Sequence, residues 1–147
     1  MQNISGFGLS VNIVASKTFP IGLYITQFAD DSDPLDIQVT QIADKAMGLN
    51  GDLLIWSKPT AIIVNLSVVA ASTTDRELQV LLEANRVGRG KIGARDVITM
   101  NVNYPEGNFI IYQNGAITDG PTAASVASAA RLKSNTYSFA FENRIGG

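Results

Sequence analysis

Asn135-Thr136-Tyr137-Ser138-Phe139-Ala140-Phe141-Glu142-Asn143 decides the fold class, because its aromatic residues alternate. An extended chain points successive side chains to opposite faces, so Tyr137, Phe139 and Phe141 share one face and Ser138, Ala140 and Glu142 the other. Aromatic residues favour strands and carry a large apolar area that gains by leaving water. The segment is therefore expected to close a sheet and fill part of its core, with the second face toward a helix, a neighbour or solvent. It is entered from the small-residue stretch Gly120 to Ala130 through Arg131-Leu132-Lys133.

Upstream, Val97 to Tyr104 and Asn108 to Gln113 read as strands separated by Pro105-Glu106-Gly107. Asn114-Gly115 reads as a turn before a short extension, Ala116 to Pro121, and Thr122 to Ala130 is left without an assigned state. Thr74-Asp75-Arg76-Glu77 has the form of a capping box, in which the Thr74 hydroxyl and the Glu77 side chain satisfy each other's backbone N–H groups. The helix it starts continues through Leu78, Leu81 and Leu82, with Val80 and Ala84 widening the apolar face, and stops by Gly88. Arg86 to Arg95 then mixes glycines with Arg86, Arg89, Lys91 and Arg95 and follows neither period, so a mobile basic loop is expected.

The N-terminal half is strand-rich. Leu9 to Ala15 alternates, and Gly22 to Ala29 places Leu23, Ile25 and Gln27 on one face. Asp30-Asp31-Ser32-Asp33-Pro34 turns the chain. Leu35 to Ile42 sets Leu35, Ile37 and Val39 against Asp36, Gln38 and Thr40, which predicts a strand with one wet or polar face. Asp44 to Asp52, with Gly48, Asn50 and Gly51, reads as a loop. Leu53 to Ser57 and Thr60 to Ala71 add two β-rich runs across Lys58-Pro59, and Ile62, Val64, Leu66 and Val68 mark the second as central. About seven or eight strands and one helix predict a mainly β chain, a two-sheet β-sandwich or open barrel with one flanking α-helix. No repeat or linker divides it, so residues 1–147 are expected to form a single domain.

A chain of 147 residues is long enough for a real core, burying about two thirds of its unfolded surface. Lys and Arg number 11 against 13 Asp and Glu, and the net charge of −2 argues against a protein that holds nucleic acid by neutralising phosphates, which needs a concentrated basic face. There is no cysteine and no histidine. Disulfides, thiolate and imidazole metal sites, and Ser-His-Asp or Cys-His catalysis are thereby removed. Met1 to Gly8 lacks a basic leader followed by an apolar core, so synthesis in the cytoplasm is expected. Thr60 to Ala71 is broken by Asn65 and Ser67 and is too short for a bilayer-spanning helix, so no membrane insertion is expected.

The remaining candidates have plainer readings. Asp30, Asp31 and Asp33 offer oxygens to a hard cation, yet the glycine and closing glutamate of an EF-hand are absent, which leaves a solvated acidic turn. Gly88-Arg89-Gly90-Lys91-Ile92-Gly93 follows a helix instead of a strand and lacks a Gly-Lys-Ser/Thr ending, so it does not read as a phosphate loop. An intersubunit contact suits it as well as solvation. Asp36, Asp44, Asp52, Asp96, Glu77 and Glu83 contain no pair selected for acid–base work. Trp56, beside Leu53, Leu54 and Ile55, could stack on a sugar or base, but reads as core. No catalytic residue, metal ligand set or cofactor is expected.

A strand-rich N-terminal half, one capped helix, an Arg/Gly/Lys loop, and two strands joined by Asn-Gly before the Gly120-Pro121 to Asn143 ending form a recognisable order. It resembles the tail tube proteins of tailed bacteriophages, especially those with contractile tails. Val97 to Val102, Phe109 to Gly120 and Asn135 to Asn143 carry the resemblance. The resemblance implies a virion structural protein: hexameric rings that stack into the inner tail tube and conduct DNA into the host cell. It implies a partner set of further copies, a tail sheath, baseplate and tail terminator proteins, with DNA passing but not tightly bound. Type VI secretion tube proteins share the architecture. On this reading Gln27, Asp36, Gln38 and Thr40 face the lumen, where a polar, mildly acidic wall lets phosphates slide, and Arg86, Arg89, Lys91 and Arg95 form the intersubunit loop. Three alternatives stand beside it. A tail terminator or tube-like baseplate component predicts rings that do not stack, a type VI tube protein predicts the same rings in a secretion system, and a carbohydrate-binding β-sandwich predicts a monomer with an aromatic platform.

Overall fold

The computed structural model describes residues 9–25, 27–29, 33–123, 126 and 132–146. In chain order its elements are β1 Ser10–Ala15, β2 Phe19–Ile25, β3 Leu35–Ile37, β4 Ala43–Met47, β5 Leu53–Ser57, β6 Ile62–Val68, α1 Thr73–Asn85, β7 Ile98–Asn103, β8 Phe109–Asp119 and β9 Asn135–Gly146. The large sheet has seven strands in the order β2-β1-β7-β8-β9-β6-β3, and β4 and β5 form a second, two-stranded sheet. All its pairings are antiparallel. The protein is mainly β, two sheets with one helix among the described residues, as the sequence predicts.

The large sheet curls because one stretch of chain touches both of its ends. Leu23 and Ile25 pair with Ile13 and Val11 of β1. Just beyond, the Val69 N–H donates to the Gln27 carbonyl and the Ala29 N–H to the Ser67 carbonyl, each at 3.0 Å. Two residues of chain reach at most about 7 Å, so the β2 end and the β6 side must approach each other. Among the described residues only an isolated bridge, Phe28 to Val68, crosses that seam, and the barrel does not close.

The concave face is the core. Val11, Ile13, Val64, Leu66, Met100, Val102, Tyr137 and Phe139 are wholly buried, at alternate positions of their strands. Phe141 stacks on Phe139 at 6.3 Å and meets Tyr112 at 5.3 Å. The helix covers this face, since Leu78 and Leu81 belong to the same buried cluster. Ser138 and Ala140 point outward, and the Ser138 hydroxyl donates to Asn65 Oδ1 at 2.5 Å across the β6–β9 ladder.

Three expectations about strands and turns are corrected. Asn114-Gly115 does not end a strand: β8 runs through it, with Ile98 opposite Gly115 but Met100 opposite Tyr112, the offset of a bulge. Turn and bulge ask for the same residues, a positive φ (53° at Asn114) followed by a glycine, so the dipeptide alone does not separate them. Gly115 is required by space. A Cβ there would lie 2.2 Å from Phe141 Cδ1. The loop expected over Asp44 to Asp52 shrinks to a turn, closed by Gly48 N–H to Asp52 O at 2.7 Å and Gly51 N–H to Gly48 O at 3.0 Å, and its first residues enter β4. The strand expected to reach Ile42 ends at Ile37, and Val39 is fully exposed instead of core-facing, because pairing with β6 stops after the Gln38 N–H bond to Ile63 O.

The helix starts before Thr74. Ser72 is the N-cap, its Oγ accepting from the Asp75 N–H at 3.1 Å, while Asp75 Oδ2 accepts from the Ala71 N–H at 3.0 Å. The helix ends at Asn85, short of Gly88, where the Asn85 amide donates to the Leu81 carbonyl and to Asp96 Oδ2, both at 2.9 Å. Asp75 is buried and ties the helix to the closing strand, accepting from Asn135 Nδ2 at 2.7 Å and the Tyr137 hydroxyl at 2.8 Å. Burial, together with the Asp75 carboxylate, pushes the Tyr137 hydroxyl far above its ordinary pKa and keeps it a donor.

Asp96 is a second buried anchor. It accepts from the Lys17 N–H at 2.7 Å, the Thr18 N–H at 3.0 Å, the Thr18 hydroxyl and Asn85, joining the β1–β2 turn to the helix end. Burial opposes its charge, but these bonds outweigh burial and hold the carboxyl below its ordinary 3.8. A carboxyl depressed on folding contributes stability above its unfolded pKa and loses it as pH falls through the folded one. Acid titration of the wild type should therefore show stability lost below the unfolded value near 3.8, and Asp96→Asn should flatten that limb when both are unfolded in urea across pH. In the same assay at neutral pH, Gly115→Ala should cost about 1–3 kcal/mol by forcing a methyl group into the Phe141 ring.

Candidate assembly surface

The feature that stands outside the core is the β4–β5 ribbon. Its pairs run from Ala43–Ser57 at the base to Met47–Leu53 at the turn. The base is fastened by the Lys58 N–H to the Ile42 carbonyl at 3.0 Å. Alternation puts Lys45, Met47, Leu53 and Ile55 on one face and Asp44, Ala46, Leu54 and Trp56 on the other. Both faces are apolar, and both lie in water: Leu53, Leu54, Ile55 and Met47 are more than half exposed, and Leu49 at the turn is fully exposed. An isolated two-stranded ribbon is marginal in water, and a contiguous apolar patch of this kind marks a contact with another molecule.

Trp56, expected in the core, is 49% exposed on this arm. The run Leu53 to Trp56 is continuously apolar, the pattern of a strand covered on both sides, and within one chain neither cover exists.

The four residues expected to line a lumen are not all alike. Asp36 and Gln38 are exposed at the β3 edge of the large sheet, with Asp36 opposite Asn65, and Thr40 is half-buried just beyond. Gln27 is exposed, but its amide oxygen accepts from the Thr73 N–H at 3.1 Å and helps cap the helix.

The basic loop is more ordered than its composition predicts. Gly88 and Lys91 exchange backbone hydrogen bonds at 3.2 and 3.0 Å. Glu83 is gripped by Arg86, through Nη2 at 2.9 Å and Nε at 3.0 Å, and by Lys91 Nζ at 3.0 Å. Those bonds, Arg86 first and Lys91 second, lower the Glu83 carboxyl to about 2. Arg89 and Arg95 are exposed. Of the acidic turn, Asp33 is exposed, whereas Asp30 and Asp31 lie outside the described residues, as does most of the unassigned stretch after Thr122. Among the described residues no three His, Cys, Asp or Glu side chains gather as a metal site would require. No helix among them is long and apolar enough to cross a membrane.

Sequence reasoning does not find one further feature, an open cleft of about 620 Å³ on the convex side of the sheet. Pro59, Ala61, Gly115, Ala116, Ala140 and Glu142 line it. It exists because Ala61, Ala116 and Ala140 put only methyl groups on that face, a consequence of cross-strand register that one segment of sequence does not carry.

A solved chain has this fold: in the cryo-EM structure of the anti-feeding prophage (AFP) baseplate, 6-fold symmetrised, it matches with a TM-score of 0.57 at 10% identity, covering 100% of this chain and 96% of that one. At that identity the likeness shows the fold alone. The class comes from a family model instead, that of a phage-tail structural protein. The chain belongs to the family of tail fiber protein gp32, whose model matches residues 2–145. No curated protein matches it.

The arm lies outside the core, so its apolar residues can be changed without unfolding the chain. Leu53→Ser with Ile55→Ser should shift thermal unfolding of the dispersed protein by no more than about 0.5 kcal/mol per site. In the wild type, emission from Trp56, the single tryptophan, should be open to an aqueous quencher in dispersed protein and shielded once copies associate.

Proposed function

We propose that the chain is a tube-type subunit of a phage tail, assembling as hexameric rings that stack into the conduit for DNA ejection. The observation that carries this reading is the arm with two apolar faces, which a monomer leaves in water and which needs a surface on each side. A contact between unlike surfaces of identical chains closes into a ring when its rotation allows. The open edge strands β2 and β3 offer further unpaired backbone to neighbours. The six-fold symmetrised assembly that contains the similar fold is consistent with a hexamer.

Within such a ring, Asp36, Gln38 and Thr40, with Gln27 behind them, supply a polar and mildly acidic lumen wall that releases counterions poorly and so does not hold DNA. Arg89 and Arg95 reach carboxylates of an adjacent copy, while Arg86 and Lys91, already paired with Glu83, shape the loop that presents them. The protein acts in the virion by assembly, without a cofactor or catalytic step, and its further contacts are with sheath, baseplate and terminator proteins.

A second reading is favoured by the family's description as tail fiber protein and by the baseplate origin of the similar chain: a baseplate or fibre component that forms one ring and does not stack. Negative-stain microscopy and size-exclusion of purified protein separate the two. Long hollow tubes are expected, discrete rings would favour the second reading, and protein that stays monomeric at every concentration would overturn both.

A further inference from the structure

The arm and the cleft are unfilled on the same chain. The outward positions at the cleft floor are the small residues Ala61, Ala116 and Ala140, while the missing Cβ of Gly115 points the other way, into the core at the Phe141 ring. The strand surface is therefore thin where the bulge turns it, a setting in which bulges commonly serve function. A volume near 620 Å³ lies in the range that takes a few large apolar side chains. The arm presents such side chains, Met47, Leu53 and Ile55, in one row with one cation, Lys45. The cleft carries one charged residue, Glu142. Neither Lys45 nor Glu142 forms an ion pair among the described residues. The apolar row meets an apolar floor, and the single positive charge of one surface matches the single negative charge of the other.

The chain does not satisfy this match within itself, since the arm residues are exposed while the cleft stands open. We infer that the Lys45-Met47-Leu53-Ile55 face of the arm docks into the Pro59-Ala116-Glu142 cleft of a second copy, with Lys45 meeting Glu142. This contact joins two different patches, so each copy gives an arm and receives one, and the series closes as a ring or continues as a chain. The inference rests on the ring reading and adds to it the identity of the two surfaces. The opposite face of the arm, with Leu54 and Trp56, remains for another neighbour.

The test exploits the absence of cysteine. Ile55→Cys is placed in one preparation and Ala116→Cys in another, and the two are mixed and treated with a short bismaleimide. A covalent dimer in the mixture, and in neither preparation alone, is expected. In parallel, Lys45→Glu and Glu142→Lys, both at exposed positions, should each raise the concentration needed for assembly about tenfold or more, and the double variant should restore it. Rings that form without cross-linking in the mixture, or a charge swap that fails to rescue, overturn the docking and leave the ring reading intact. A chain carrying both cysteines that links only to itself shows the arm folding onto its own cleft, which also overturns it. A wild type that never associates removes the ring reading and the docking together.

Discussion

One buried carboxylate holds the two halves of the fold together. Asp75 lies in the first turn of the helix and receives the Ala71 N–H, the Asn135 amide and the Tyr137 hydroxyl. A buried charge is costly unless its hydrogen bonds are made, and here they come from three directions, which fixes the helix against one strand at one register. Shifting β9 by one residue would turn Tyr137 away from Asp75 and send the aromatic face outward. The helix lid, the register of the longest strand and the burial of Phe139 and Phe141 thus stand or fall on the same contact.

From that constraint the rest of the architecture follows. The aromatic face is too wide for one helix to cover, and the sheet covers the remainder by curling until the stretch from Leu23 to Ala29 serves both ends. A curled sheet with a filled concave side has no interior left for the apolar residues between Val39 and Trp56. They project as a ribbon whose faces are both greasy. The same curl exposes a convex side on which Ala61, Ala116 and Ala140 leave a hollow. Monomer stability and an incomplete surface are products of a single packing solution.

How far the sequence discloses this depends on what each signal measures. Alternation reports which side of a strand is dry, and it identifies β1, β6, β7 and β9 correctly because their dry side is the chain's own core. It misleads at Val39, and the continuous apolar run ending at Trp56 misleads in the same way, because these residues lie largely in water within one chain. Asn114-Gly115 misleads for a different reason: positive φ is common to turns and bulges, and only the position of the Phe141 ring tells them apart. Ser72-x-x-Asp75 carries the same kind of capping signal as Thr74-x-x-Glu77, and what chooses between them is the bond from Asp75 to Tyr137, a contact across more than sixty residues of chain. The lumen candidates are legible as exposed polar positions, but exposure in one copy does not say which side of a ring they occupy.

The distribution of charge bears on what kind of assembly this chain can build. A conduit subunit of the kind proposed must hold its neighbours firmly while offering little to a passing polyanion. Contacts made mainly by Lys and Arg would weaken with salt and attract phosphate. This chain takes the opposite course. Two of the cations in its basic loop are already engaged by Glu83, whose carboxyl stays ionised down to about 2, and the unpaired surface of the β4–β5 arm is mainly aliphatic and aromatic. Apolar contact is non-directional and insensitive to screening, so it supplies strength without selectivity. Selectivity then falls to the few charges set within the apolar surfaces, and a lone Lys45 on the arm with a lone Glu142 in the cleft is enough to favour one register over its neighbours.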